Sequence, residues 1–233
     1  MDSAPPDDGF LWDLHLHSHG SRDSLSSVRT IARNLKKKGF HGFALTDHDT
    51  IRCWKEARAA ACEFKLHFIP GMEITCFDAE MRRVELIGLF LNRKVKGGYI
   101  LETAERIREE GGITVVPHPF DFFRAGFPEF AKYRKYFNAV EVFNARTHDK
   151  ARLIKAFEQA KAAGLAMTGG SDAHAAFEAG AGWTWTPWTG EEGLRKAILK
   201  KRTVAGGRIS SRAVHIVSTM SKLKIIPAKL KQL

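Results

Sequence analysis

Five short clusters of metal-ligating side chains recur along this chain, each where an apolar strand pattern runs out. They are Asp13-Leu14-His15-Leu16-His17, Thr46-Asp47-His48-Asp49, Gly71-Met72-Glu73, Pro117-His118-Pro119 and Ser171-Asp172-Ala173-His174. Apolar, β-branched or aromatic residues precede most of them, as in Phe43-Ala44-Leu45 and Ile113-Thr114-Val115-Val116, and polar loop and helix patterns generally follow. A fold that satisfies this layout must bring several strand ends to one place. Strands alternating with helices imply βα units and a mostly parallel sheet. Five strand ends converge best if that sheet closes into a barrel, where strand C-termini share one mouth. A distorted α/β barrel is the first expectation; an open doubly wound sheet, whose crevice also lies at strand C-termini, is the second.

Periodicity predicts strands over 10–15, into Thr46-Asp47-His48, and over 67–75, 84–91, 113–116, 139–143 and 165–168. Helices are expected over 27–38, 51–64, 100–110 and 150–163, the first with a serine N-cap and Gly39 as its stop. Segments 121–135 and 175–189, rich in Phe and Trp, read as loops. With 233 residues and 44% hydrophobic content the chain can bury a sizeable core, and barrels of this size form one domain. The expected division is a flexible N-terminus over 1–9, a barrel over 10–207 and a basic extension over 208–233.

No apolar run is long enough to span a bilayer, and the start Met1-Asp2-Ser3-Ala4-Pro5-Pro6-Asp7-Asp8 lacks the basic and apolar regions of a signal peptide. A soluble, cytoplasmic protein is expected. Cys53, Cys62 and Cys76 form no C-x-x-C, which argues against a disulfide framework or zinc ribbon and for reduced, buried thiols. The net charge of +11 is unevenly placed. From Arg195 onward there are eleven Lys and Arg and no Asp or Glu, which leaves 26 basic and 26 acidic residues before it.

His15 and His17 are separated by one residue, so on extended chain both side chains leave the same face. Asp172 and His174 repeat that spacing after Gly169-Gly170-Ser171, and Glu73 has two oxygens with which to bridge two ions. An isolated H-x-H is weak; His48, His118 and Glu73 are each, taken singly, compatible with packed or capping roles. Jointly, mixed imidazole and carboxylate ligands without cysteine suit Zn, Mn or Fe in Lewis-acid hydrolysis. Clustered ions of that kind activate a bridging water and neutralise charge developing on a phosphoryl group.

These motifs, in this order, resemble the PHP (polymerase and histidinol phosphatase) family of metal-dependent phosphoesterases over about residues 10–207, and within it the stand-alone branch. The resemblance implies a distorted (β/α)7 barrel with two or three divalent ions at its mouth. It implies a first ion on His15, His17, Glu73 and Asp172, a second on Glu73 and His118, and a third on Asp23, His48 and His174. The family often has a histidine where this chain has Glu85 in Val84-Glu85-Leu86-Ile87-Gly88. Glu85 is then either a carboxylate ligand of the second ion or a solvated strand glutamate.

Glu73, Asp172 and His174 are the residues expected to carry catalysis. Arg124 and Arg146 follow expected strand ends, where a guanidinium could grip phosphate bidentately, or else are surface arginines. Asn144 is expected either to contact substrate or to support a ligand. His19 and His148 are proton-donor candidates or ordinary loop histidines, and Trp183, Trp185 and Trp188 a base-stacking wall or packed core. In the tail, Ile216, Met220, Leu223, Ile226 and Leu230 form a helical stripe beside Lys222, Lys224, Lys229 and Lys231, interrupted by Pro227. That stripe fits a strap on the barrel, a phosphate contact to nucleic acid or a membrane-surface helix. The function expected is hydrolysis of small phosphate esters, nucleotides or short oligonucleotide ends, by a metal-bridging hydroxide. A histidinol-phosphate phosphatase is the alternative enzyme; a catalytically silent metal- or nucleic-acid-binding module is the alternative class.

Overall fold

The computed structural model describes residues 4–211; the tail stripe lies outside the described residues. The chain runs β1 (Phe10–Asp13), α1 (Val28–Lys37), β2 (Gly42–Leu45), α2 (Trp54–Phe64), β3 (His67–Phe77), β4 (Arg83–Leu89), α3 (Ile100–Glu109), β5 (Ile113–Val116), β6 (Ala139–Asn144), α4 (Lys150–Ala163), β7 (Ala166–Gly170), β8 (Gly182–Thr186), α5 (Gly190–Leu199) and β9 (Val204–Gly207). Two short 3-10 turns, Phe122–Arg124 and Arg134–Tyr136, interrupt the segment between β5 and β6.

The strands form one nine-stranded sheet in the order β7-β6-β5-β4-β3-β2-β1-β8-β9, curled into a nearly closed barrel. Neighbours from β1 to β3 and from β5 to β7 are parallel, whereas β4 is antiparallel to both β3 and β5. The link 78–82 is too short for the crossover that a parallel pair needs, so the chain must turn back on itself. β1 and β7 close the barrel by a seam beyond their formal ends, where Leu16 and Ala173 are parallel bridge partners. Lower down, the Thr184 hydroxyl of β8 stitches to Gly169 of β7, donating to its carbonyl and accepting from its N–H, both at 2.8 Å.

Each helix forms because an apolar stripe has a sheet face to cover. In α1, Val28, Ile31, Ala32 and Leu35 are buried, and the Ser27 hydroxyl accepts from the Thr30 N–H as N-cap. Gly39, just past the α1 cap, has φ +79°, the left-handed stop that a glycine provides at least cost. Inside the barrel, Trp12, Ala44, Ile69, Ile87, Leu89, Val115, Ala139 and Ala166 pack with Leu194 and Ile198 of α5. α5 therefore plugs the end of the barrel opposite the mouth.

Three elements run against expectation. β8, α5 and β9 have no counterpart in the periodicity, and β8 falls within the segment 175–189 that reads as loop: it is short, begins with glycine and is buried on both faces, so no alternation marks it. The Trp-rich segment is packing, not a base-stacking wall at the mouth. Trp183 joins the core cluster of Leu16, Phe43 and Ala173. Trp185 pairs with Leu11 near the start of β1, and the Trp188 ring centroid lies 4.5 Å from Lys196 Nζ of α5. α2 begins at Trp54 rather than at residue 51, after a turn over 52–53.

Candidate metal centre

Although β1 ends at Asp13, the chain stays extended through His17 because the seam needs it. The His17 N–H donates to the Ala173 carbonyl at 2.9 Å and the Asp172 N–H to the His15 carbonyl at 2.8 Å. The two i, i+2 motifs thus lie side by side, 157 residues apart in sequence at the Leu16–Ala173 bridge. Gly170 makes this approach feasible, since a Cβ there would lie 2.5 Å from His15 Cβ. Asp172 and His118 hold φ of +52° and +27°. Non-glycine residues seldom occupy that region, at a cost of about 1–3 kcal/mol each, and such strain gathers at functional positions.

Three groups of donors converge. In the first, His15 Nε2 lies 3.2 Å from His17 Nε2, 3.3 Å from Glu73 Oε1 and 3.8 Å from Asp172 Oδ1. His17 Nε2 is 3.4 Å from Glu73 Oε2 and 3.5 Å from Asp172 Oδ1. In the second, His118 Nε2 is 3.3 Å from Glu73 Oε1 and 3.8 Å from Glu85 Oε2. In the third, Asp23 Oδ2 is 3.6 Å from His48 Nε2 and 3.5 Å from His174 Nε2. His48 Nδ1 also meets Glu73 Oε2 at 3.1 Å, so Glu73 stands at the junction of the groups. Glu85 is buried and faces this cluster, so the solvated-glutamate alternative does not apply.

Most of these distances match what cations require; His15–Asp172 and His118–Glu85, at 3.8 Å, are slightly longer. Ligand bonds of about 2.0–2.2 Å, set at tetrahedral or octahedral angles, separate neighbouring donor atoms by about 3.0–3.6 Å. The chemistry matches too, because carboxylates and imidazoles taken out of water are costly unless paired or ligated. His15, His17, Glu73, Asp172 and the neighbouring Asn144 are each no more than 3% exposed. Burial disfavours charge on Glu73, yet His15 and His48 hold its carboxyl well below the usual range. Asp172 is likewise held down against burial, by His15 and Arg124. Glu85 goes the other way: burial first, then the Glu73 charge beside it, push it up to about 7. Burial, with His174 and His48 pressing the same way, takes His17 down to about 4, leaving it neutral and able to ligate.

A second layer orients the ligands. Glu141 Oε1 lies 3.0 Å from His15 Nδ1, and its Oε2 accepts from the His118 N–H at 3.0 Å and from Asn144 Nδ2 at 2.8 Å. A carboxylate on one ring nitrogen turns the other toward the ion and raises its basicity. On the other side, the Ser21 hydroxyl donates to Asp47 at 2.9 Å, accepts from the His48 N–H at 3.0 Å and lies 3.3 Å from His17 Nδ1. Asp47 also accepts from the Ser18 N–H and hydroxyl. Glu141, Asp47 and Ser21 escaped the sequence reading as functional residues; a buried Glu in the strand pattern Ala-Val-Glu-Val-Phe-Asn was the available signal for the first.

Asn144 uses all four of its bonding positions within the protein. Nδ2 donates to Glu141 and to Asp172 at 3.1 Å, and Oδ1 accepts from Arg124 Nη1 at 3.1 Å and the Arg146 N–H at 2.9 Å. That network fits the supporting alternative. Neither arginine is a plain surface residue. Arg124 donates to Asp172, Asp121 and Thr147, and Arg146 Nη1 lies 2.5 Å from His174 Nδ1. Both line a cavity of about 680 Å³ with Arg152, His148, Asp121, Asp149 and Phe123. Arg152 went unremarked in the sequence. His19 turns instead toward Cys53 and Glu56.

Fold and site together define a metal-binding α/β barrel with its donors gathered at one mouth. The chain belongs to the PHP family: it matches the PHP domain over residues 13–177, and the PHP-associated region over 152–203. An uncharacterised protein of Methanocaldococcus jannaschii is 36% identical over 176 residues, 72% of this chain and 67% of that protein. A 5′-3′ exoribonuclease of Haemophilus influenzae is 33% identical over 105 residues, 45% of this chain and 38% of the exoribonuclease. In structure, the chain resembles a two-domain Bacteroides vulgatus protein described as containing a predicted PHP-like metal-dependent phosphoesterase. The TM-score is 0.73 at 18% identity, over 95% of this chain and 73% of the other. Among the described residues, no helix is long and apolar enough to cross a membrane.

Proposed function

We propose that this protein is a metal-dependent phosphoesterase acting on small phosphate esters, namely nucleotides or short oligonucleotide ends, through a unit spanning 10–207. The observation that carries the reading is the adjacency of a three-part donor cluster to an arginine-lined cavity, linked directly by Arg124 to Asp172 and Arg146 to His174. The exoribonuclease relative supports a nucleotide substrate.

In this reading His15, His17, Glu73 and Asp172 hold one divalent ion, Glu73, Glu85 and His118 a second, and Asp23, His48 and His174 a third. When bound, such ions (Mn, Zn or Fe) would supply Lewis acidity toward a phosphoryl oxygen and lower the pKa of water in the site. Glu73, shared by the first and second donor groups, and Asp172, in the first, would hold those ions in place. Arg124, Arg146 and Arg152 offer guanidinium groups at the cavity wall, where fork-like donors suit phosphate oxygens. Glu141 and Asn144 keep His15 and Asp172 aimed, so that little reorganisation is needed as charge develops.

The test is release of phosphate or nucleotide from mononucleotides, nucleoside bisphosphates, short oligonucleotides and histidinol phosphate by manganese-loaded protein, beside a His15→Ala control. Turnover of a nucleotide substrate, lost in the control, is the expected result. Turnover confined to histidinol phosphate would replace the substrate assignment. Bound metal with no turnover on any substrate would leave a binding module.

A further inference from the structure

His19, Cys53 and Glu56 meet on the flank of the mouth. His19 follows the seam strand, and its N–H donates to the Ser26 carbonyl at 2.9 Å, which fixes the loop that carries it. The Arg52 guanidinium donates to the His19 carbonyl and clamps the same residue from the other side. Cys53 is the N-cap residue of α2, and Glu56 lies in the first turn of that helix. Residues three apart on a helix share a face, so the thiol and the carboxylate both point toward His19. His19 Nε2 lies 3.6 Å from Cys53 Sγ and 3.5 Å from Glu56 Oε2.

Those separations are informative. With a metal–nitrogen bond of about 2.0–2.1 Å, a metal–sulfur bond of about 2.3 Å and tetrahedral angles, the N···S edge is about 3.5–3.6 Å and the N···O edge about 3.3–3.5 Å. An ordinary neutral imidazole–thiol contact sets no such requirement on a third donor. We propose that His19, Cys53 and Glu56 form a further cation site, apart from the barrel-mouth cluster, that takes a borderline-soft divalent ion such as zinc. The thiolate sets the selectivity. Sulfur ligands favour zinc over manganese, whereas the mouth donors are all nitrogen and oxygen. On binding, the Cys53 proton leaves to solvent and the sulfur takes up the ion, with no change of oxidation state. Three protein donors leave one tetrahedral position for water or an exogenous ligand. His19 and Glu56 are both close to half exposed, so an ion can reach the site without crossing the mouth. The sulfur itself is sheltered, for Cys53 is only 4% exposed. Occupancy would tie the loop carrying His17 and Asp23 to the start of α2.

Cobalt distinguishes the two centres, because only a thiolate ligand gives a sulfur-to-cobalt charge-transfer band in the near ultraviolet. The full chain, as purified, is dialysed against Co(II), and absorbance and cobalt content are measured for wild type, Cys53→Ser, Cys62→Ser, His19→Ala and Glu56→Gln. The expected result is the band in wild type and Cys62→Ser, its loss in Cys53→Ser together with about one equivalent of cobalt, and a rise in half-saturating cobalt for His19→Ala and Glu56→Gln. No band in wild type, or a band that survives Cys53→Ser, would overturn the proposal. So would equal half-saturation in His19→Ala and Glu56→Gln, which would mean a thiol binding alone. Because the readout is spectroscopic, it stands whether or not the mouth hydrolyses phosphate esters.

Discussion

The two ends of the barrel use the same strands for opposite purposes. At the end plugged by α5, Trp12, Ile69, Leu194 and Ile198 exclude water and carry no charge. At the mouth, strand continuations hold His15 and His17 each within 4 Å of both Glu73 and Asp172, with left-handed backbone at Asp172 and His118. One end is built to be stable and the other is tolerated because the rest of the fold holds it. A substitution at the plugged end should therefore cost stability and spare cation binding, whereas one at the mouth should do the reverse.

The strongest challenge to that division is Trp12→Ala, which should cost about 3–5 kcal/mol by emptying a fully buried aromatic site. Urea unfolding measures it, and the fraction still folded should bind as many ions as wild type; a lost ion would mean the two ends are not independent. Asp172→Asn is the mirror experiment. Turnover should fall by about a thousandfold or more, since one ion loses a charged ligand, while the metal-free protein keeps its circular dichroism. Full activity in metal-defined buffer would remove Asp172 from the site. A smaller effect is expected of Glu141→Gln, which should weaken metal binding by about 10–100-fold through His15, read by competition with a chromophoric chelator. An unchanged affinity would make Glu141 merely structural.

The subtlest effect concerns protons. In the metal-free protein Glu85 is pushed up to about 7, by burial and by Glu73, against an ordinary value of 4.5. Between those values the folded state holds a proton that the unfolded chain has released, so this group's contribution to stability falls as pH rises from about 4.5 to 7. Glu85→Gln should flatten that stretch of the metal-free stability curve. It should also reduce the protons released when ions are added at pH 6, measured calorimetrically in buffers of different ionisation enthalpy. Equal proton release in the variant would place Glu85 outside the ligand set.

Much of this asymmetry is written locally. β5 and α4 match their periodicity to the residue, and the ligands stand out because His, Asp and Glu are rarely placed at the ends of apolar strands without cause. What was hidden depends on distant partners. The pattern Val-Glu-Leu-Ile-Gly-Leu reads the same in either direction, and only the short link 78–82 makes β4 antiparallel. Glu141 looks like any strand glutamate until His15, 126 residues away, lies against it. Asn144 and Arg124 likewise acquire their roles only through Asp172. The α5 plug is hard to read because its glycine-rich start weakens the helical signal, although its apolar stripe has a barrel end to fill.

The seam at Leu16 and Ala173 has a consequence for synthesis. His15 and His17 leave the ribosome some 157 residues before Asp172 and His174, which lie beside them in the folded barrel. Until then the growing chain lacks the Asp172 and His174 donors and has an open sheet edge, the kind of exposed strand that invites association. Closure of the Leu16–Ala173 seam and assembly of the donors on either side of it thereby wait on one event, the arrival of β7 and the residues just after it.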